Sequence, residues 1–366
     1  MADIFSFFSG LGFLDLGFED SGFNVKLVNE YHRPFIEAYK FSRAHMERVL
    51  EHDVTYVCDD VSVFFNGAAD ELESMARASR IQGNMVGFVG GPPCPDFSIG
   101  GKNKGFKGEN GRLTHTFSEL IYVNEPDFFV FENVKGLFRT KKHRAFYESI
   151  KKKLSAKYLI DDKLINSIEF GAPQDRDRIF MIGIRRDIAG DNFNAENGQF
   201  VNWDRNKVYP SRSAFEYPWP QTDDFVEGST TEIPKGLPRE LTVQHWFEQN
   251  NVVEHFNQRH HFMPRNGLSR FMSVPEGDDR KKSFKRLHRW RYSPTACYGN
   301  NEVHLHPYFA RRISAAEALA IQTLPQNFIL PERMTLTNMF KGIGNGVPYL
   351  MSRGIAMNLS ESLNSL

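Results

Sequence analysis

Short apolar runs alternate with amphipathic stretches through the first half of the chain. The runs at 4–8, 25–29, 54–58, 85–89, 128–131 and 179–184 read as buried strands. Between them, 33–46, 69–82 and 144–156 carry helical periodicity. Strand–helix alternation predicts an α/β fold with a doubly wound, mostly parallel sheet. Polar and glycine residues recur where the runs end, and in such sheets ligands bind outside the carboxyl ends of the strands. Residues 9–12, Glu30, Asp60, Cys94 and Glu132 are therefore expected along one edge.

After Arg186 the periodicity fades, and Pro, Asn, Asp and His become frequent until about residue 309. This stretch reads as a second, loop-rich domain. Helical texture returns at 314–322, where Ser314 and Glu317 have the spacing of a capping box. A Gly-bounded turn then leads into another helix within 342–359. The expected organisation is one domain from 1–187 plus 310–366, with a smaller one from 188–309.

Composition changes this picture little. The 366 residues are 40% hydrophobic and 25% charged, as in an ordinary globular protein, and 33 phenylalanines allow a large aromatic core. No apolar run approaches the roughly 18 residues of a membrane helix, and no signal peptide is visible. Three scattered cysteines without CxxC spacing suggest neither a zinc site nor a disulfide framework, so no metal is expected and a cytoplasmic setting is the default. Formal net charge is zero, yet 280–292 is densely basic with interleaved aromatics, which suggests either a solvated face or a nucleic-acid contact.

Four local features carry chemistry. The turn FSGLG, Phe8 to Gly12, lets backbone approach a ligand, and Glu30 lies where an acid can bind ribose hydroxyls. Together they suggest an adenosine-containing cofactor: NAD, FAD or S-adenosylmethionine. In GGPPCP, prolines stiffen the setting of Cys94, whose thiolate would be a strong nucleophile toward carbon. A small buried thiol is the alternative for it, and the expected state of Cys58 and Cys297. Glu132 in FENV ends an apolar strand, where a carboxyl group keeps its proton to higher pH. In QDRDR, Arg176 and Arg178 could bind an anion or make structural ion pairs.

The ordered set FSGLG, GGPPC, FENV, QxRxR and a late GNGV resembles the cytosine carbon-5 DNA methyltransferases. The likeness runs from Asp3 to Arg185 and again from about Ser293 to the end. It implies a Rossmann-like S-adenosylmethionine-binding domain and a target recognition domain in the unmatched middle. It further implies that Cys94 adds to carbon 6 of a cytosine flipped out of duplex DNA, and that Glu132 engages ring nitrogen 3 and the exocyclic amine. Arg178 would hold the carbonyl oxygen, and Arg176 would brace the active-site loop and Glu132. Phe8, Gly10, Gly12, Glu30, Tyr31, Asp60, Val61, Pro93, Leu113, Asn345 and Val347 match cofactor-lining positions, with S-adenosylhomocysteine as the product. The loop 97–112 would close over DNA, and 280–291 would meet phosphates.

Three positions depart from the usual pattern: Pro95 replaces Gln, Phe13 a second glycine, and Asn110 an arginine. The resemblance implies a monomeric bacterial or phage-type enzyme acting on double-stranded DNA, either an orphan or paired with a separate restriction endonuclease. Competing readings are a tRNA cytosine methyltransferase of the same family, whose Cys-Phe-Thr signature is missing, a silent DNA-binding relative, and a nicotinamide oxidoreductase.

Overall fold

The computed structural model describes residues 1–48, 54–93, 109–190, 199–264, 267–281, 283–296, 298 and 302–366. Cys94, Pro95, Cys297 and residues 97–108 of the expected closing loop lie outside them. In chain order the strands are β1 (Ala2–Phe7), β2 (Phe23–Asn29), β3 (Thr55–Val57), β4 (Met85–Gly90), β5 (Phe128–Val134), β6 (Tyr158–Asn166), β7 (Gln174–Asp175), β8 (Asp177–Arg185) and β9 (Ser293–Pro294). The helices are α1 (Phe13–Glu19), α2 (Arg33–His45), α3 (Ala69–Ile81), α4 (Glu109–Asn124), α5 (Lys135–Arg139), α6 (Lys141–Leu154), α7 (Arg186–Ala189), α8 (Val243–Gln249), α9 (Leu268–Met272), α10 (Ala315–Ile321), α11 (Leu336–Asn345) and α12 (Tyr349–Asn364).

Seven strands form one sheet in the order β3-β2-β1-β4-β5-β8-β6. The pairs from β3 through β5 are parallel, and β8 runs antiparallel to both β5 and β6. The mixed α/β class with a mostly parallel sheet is as expected. The edge strand β6 was not, because its sequence YLIDDKLIN carries three charges in the middle. Only its pairing with β8 makes that segment a strand.

The chain builds β1, β2 and β3 toward one edge, then crosses so that β4 pairs on the other side of β1. Strand order reverses there, which opens a crevice at the carboxyl ends of β1 and β4. Register sets what borders it. Phe7 is level with Asn29 and Gly90, and Gly90 with Phe131. The next residues along, Phe8, Glu30, Gly91 and Glu132, therefore stand together at the sheet's edge.

Phenylalanine fills one face: Phe5, Phe7, Phe88, Phe117, Phe129 and Phe131 are fully buried with Tyr147 and Tyr158 from α6 and β6. Each such burial contributes about 1.5–3 kcal/mol. On the other face Ile4, Val89, Val130 and Ile182 pack with Met351, Ile355 and Leu359 of α12. The chain thus returns to its first strands at its end. The capping box forms as expected, with Ser314 and Glu317 reciprocally bonded at the start of α10. The late turn is shorter than expected, since α11 continues through Asn345. The described part of 188–309 contributes no strand to the large sheet, and β9 pairs only with β7. Its Val243, Phe247 and Val252 share a core with Leu11, Phe13 and the apolar side of α10. Among the described residues no helix is long and apolar enough to cross a membrane.

Candidate active site

Phe8 leaves β1 with φ 56°, a left-handed backbone that is uncommon for an aromatic residue. Gly12 follows with φ 78° and caps α1. A Cβ on Gly12 would lie 2.3 Å from the Tyr39 ring, so the turn needs glycine there for space as well as dihedral. The Gly12 carbonyl also accepts a hydrogen bond from the buried Arg43 side chain, at 2.8 Å. Glu30 holds this turn from β2: its carboxylate accepts from Gly10 N at 3.0 Å and from His32 N at 2.8 Å. Burial raises the Glu30 pKa, opposed by those two bonds.

Next along the edge, Tyr31 is 74% exposed. Asp60 caps the short 3-10 turn of Val61–Phe65 by accepting from Ser62 N, and hydrogen bonding by the Ser62 side chain, then by its backbone, lowers the Asp60 pKa against burial. The Asp60 carboxylate lies 4.0 Å from Arg112 of α4. Val61 is buried beneath this turn, and Leu113 is half-buried against the phenylalanine core. The crevice thus offers a concave backbone turn, two carboxylates and an exposed aromatic. That donor and acceptor set fits the hydroxyls and base of an adenosine group.

The second half of the site begins where β4 ends. Pro92 is buried, its carbonyl accepts from Asn133 Nδ2 at 3.4 Å, and Pro93 is exposed. Cys94 follows directly in sequence. Glu132, on β5, is nearly buried, and its Oε1 lies 2.8 Å from Arg178 Nε on β8. Burial raises the Glu132 pKa, while Arg178 and then Arg176 oppose the rise. A Cβ on Gly91 would come within 2.6 Å of Glu132 Oε2, so the carboxyl group uses the space that glycine leaves.

Arg176 goes elsewhere than its sequence neighbour. Fully buried, it donates to the carbonyls of Ala296 at 3.2 Å, Gly344 at 2.8 Å and Asn345 at 3.5 Å. Arg178 thus meets Glu132 directly, while Arg176 is hydrogen-bonded to the late GNGV turn and acts on Glu132 through its charge. Val347, in that turn, is packed into the core beside Met351. Sequence reading passed over Gln174 and Gln322, which bond each other at 3.1 Å in this buried region. The available signal was a glutamine ending the apolar run ALAI that follows Glu317.

The basic run of 280–291 needs correction. Arg286 is fully buried and donates to the carbonyls of Val274, His306, Phe309 and Phe271. Arg289 is paired with buried Glu276 at 2.8 Å, and Arg291 holds the carbonyls of Gln221 and Gly277. These guanidinium groups stitch loops together and are not available to phosphates, whereas Arg280 and Lys281 are exposed. Among the described residues no group of three or more His, Cys, Asp or Glu could hold a metal ion.

Comparisons with known proteins give the family and the fold. The profile of the family described as C-5 cytosine-specific DNA methylase matches residues 2–361. The chain is 53% identical over 364 residues to the type II methyltransferase M.NmeDI of Neisseria meningitidis serogroup C, covering 99% of this chain and 84% of that protein. It is 24% identical to M.FnuDI of Fusobacterium nucleatum, over 98% and 94% of the two chains. In fold it is similar to a prophage-encoded E. coli protein described as a DNA modification methyltransferase, with TM-score 0.68, 22% identity and full coverage of both chains. It is also similar to the Dnmt2 methyltransferase of S. pombe, with TM-score 0.58 and 12% identity over 100% and 98% of the chains. The chain belongs to the C-5 cytosine-specific DNA methylase family and is a DNA cytosine-5 methyltransferase.

Proposed function

We propose that the chain is the modification enzyme of a type II restriction–modification system. It would methylate carbon 5 of a cytosine flipped from a specific duplex sequence, using S-adenosylmethionine and a covalent Cys94 adduct. The observation that carries this reading is the Glu132–Arg178 pair beside the end of the Pro-Pro turn, level with the glycine loop and Glu30. The type II setting rests on the likeness to the 53% identical type II methyltransferase M.NmeDI.

In this reading the Cys94 thiolate donates its electron pair to carbon 6 of the cytosine. Glu132 gives its proton to ring nitrogen 3, so the ring's π electrons become available at carbon 5. Burial favours the protonated form of Glu132, in the direction a proton donor to ring nitrogen 3 requires. Arg178 holds both Glu132 and the cytosine carbonyl oxygen. S-adenosylmethionine, when bound, would supply the methyl group to carbon 5, its sulfur keeping the broken bond's electron pair and leaving as S-adenosylhomocysteine. A base then removes the carbon 5 proton, the returning electron pair expels Cys94 as thiolate, and ring nitrogen 3 gives its proton back to Glu132. Phe8, Gly10 and Gly12 shape the cofactor turn. Glu30 binds the ribose hydroxyls, Tyr31 the adenine face, and Asp60 with Val61 the adenine edge. Pro93, Leu113, Asn345 and Val347 complete the lining.

We assign sequence readout to 188–309, and place the protein in the cytoplasm as a monomer acting apart from its endonuclease. Transfer of labelled methyl from S-adenosylmethionine to duplex DNA tests the reading. Transfer is expected from the wild type and lost in Cys94→Ala, and DNA carrying 5-fluorocytosine should trap a covalent complex. Undiminished transfer by Cys94→Ala would remove that residue from the nucleophile's role. Methylation of tRNA in preference to duplex DNA would favour the RNA-directed branch instead.

A further inference from the structure

The end of α10 grips the late turn at four points. The Gln322 side chain donates to the carbonyls of Ile343 and Gly346. Its backbone carbonyl accepts from Tyr349 N at 2.9 Å, and Thr323 Oγ1 accepts from Leu350 N at 3.0 Å. Thr323 has φ 59°, a costly conformation for a β-branched residue. Such strain persists only where the surroundings over-determine it. The helix end and the turn between α11 and α12 are therefore built as one piece.

That piece is chained to the arginine segment. Arg176 donates to Gln174 Oε1 at 3.4 Å, Gln174 Nε2 to Gln322 Oε1 at 3.1 Å, and Gln322 Nε2 onward to the turn's carbonyls. Gln174 Oε1 also accepts from Ala296 N at 3.1 Å. All donors point the same way, from a buried cation to the turn. Gln174 and Gln322 are fully buried, so each amide orientation is enforced by its neighbour.

We propose that Gln322 is a positioning residue for the methyl-donor site. Acting through Ile343 and Gly346, it sets the Asn345–Val347 lining in register with the arginine segment that faces the target base. This rests on the assignment of that turn to the cofactor in the function proposed above. Gln322 touches neither substrate in this scheme; it acts only through the turn.

Gln322→Glu keeps shape and the acceptor toward Gln174 but turns a donor into an oxygen facing two carbonyls. At pH 8, calorimetry with S-adenosylhomocysteine as the probe is expected to show binding at least tenfold weaker than wild type. KM for S-adenosylmethionine should rise likewise, with kcat and KM for DNA within twofold. As pH falls and the introduced carboxyl gains a proton, the variant-to-wild-type affinity ratio should return toward one. Gln174→Leu cuts the same chain one link earlier and should weaken probe binding in the same direction. The two together should cost less than the sum of each alone. A ratio near one at every pH, or losses falling equally on cofactor and DNA, would overturn the proposal alone. Wild-type protein that takes up no S-adenosylhomocysteine would overturn the cofactor assignment and this inference with it.

Discussion

Arg178 reaches Glu132 diagonally. The β5–β8 register sets Arg178 opposite Val134 and Glu132 opposite Phe180, yet Arg178 Nε lies 2.8 Å from Glu132 Oε1. Residues two apart on a strand share a face, so the guanidinium leans back along the sheet to meet the carboxyl group. Opposition by a nearby cation is what keeps the burial-raised pKa of Glu132 from rising further.

Arg178→Ala should therefore destabilise the protein in a pH-dependent way. Without the cation, Glu132 in the folded state holds its proton to higher pH than in the wild type. Above that range folding must bury an unpaired carboxylate, at a cost of about 3 kcal/mol. Below it the carboxyl is neutral and the cost shrinks. Urea unfolding of variant and wild type at pH 8.5 and pH 6 checks this. An equal difference at both pH values would show that the pair does not set the protonation of Glu132.

Gly91→Ala separates position from stability. The added methyl would meet the Glu132 carboxyl at 2.6 Å, and that group is the end of a rotatable side chain. It can swing aside at a cost of about 1 kcal/mol. Displacing a catalytic group by about 1 Å costs on the order of 10²-fold in rate. The expected result is a Tm within a few degrees of wild type and turnover reduced at least tenfold. Full turnover would mean that Glu132 is not held in a working position by this contact.

Much of the edge was legible from sequence because apolar runs ended at polar residues, and parallel pairing puts those ends side by side. β1, β2, β4 and β5 differ from their expected limits by a few residues at most. What could not be read was the partner of each charge. Arg286 looks like a phosphate contact beside Lys281 and Lys285, but its acceptors are carbonyls 12 to 23 residues away. Arg176 and Arg178 look like one motif, but β8 begins between them and sends them to different partners. Gln322 was read only as the end of a helix, because its acceptors come from a later helix and turn.

The buried arginines of the middle segment should act on stability. Arg286→Ala removes the donors from four carbonyls, two of them in buried bonds and two in partly buried ones, and should cost about 3 kcal/mol. Arg280→Ala, on the surface, should change stability by less than about 0.5 kcal/mol. Chemical denaturation of the two variants compares them. Affinity for duplex DNA measured across salt concentrations adds the second readout. A lower salt slope in folded Arg286→Ala would restore this residue as a phosphate contact.

Beneath the glycine turn, buried Asp15 accepts from Ser6 Oγ at 2.7 Å. Burial pushes its carboxyl up to about 6 from the ordinary 3.8, against the pull of Ser6 and Arg43. Between those values the folded state keeps a proton that the unfolded chain has released. Linkage then makes the Asp15 contribution fall as pH rises through this window, by about 3 kcal/mol in all. Asp15→Asn retains an acceptor for Ser6 and cannot ionise. Relative to wild type, the variant should gain stability as pH rises from about 4 to about 6 and hold that gain above it. Paired urea titrations every half pH unit across this range test the sign. A difference that stays flat, or that falls with pH, would mean that Asp15 is already ionised in the folded protein.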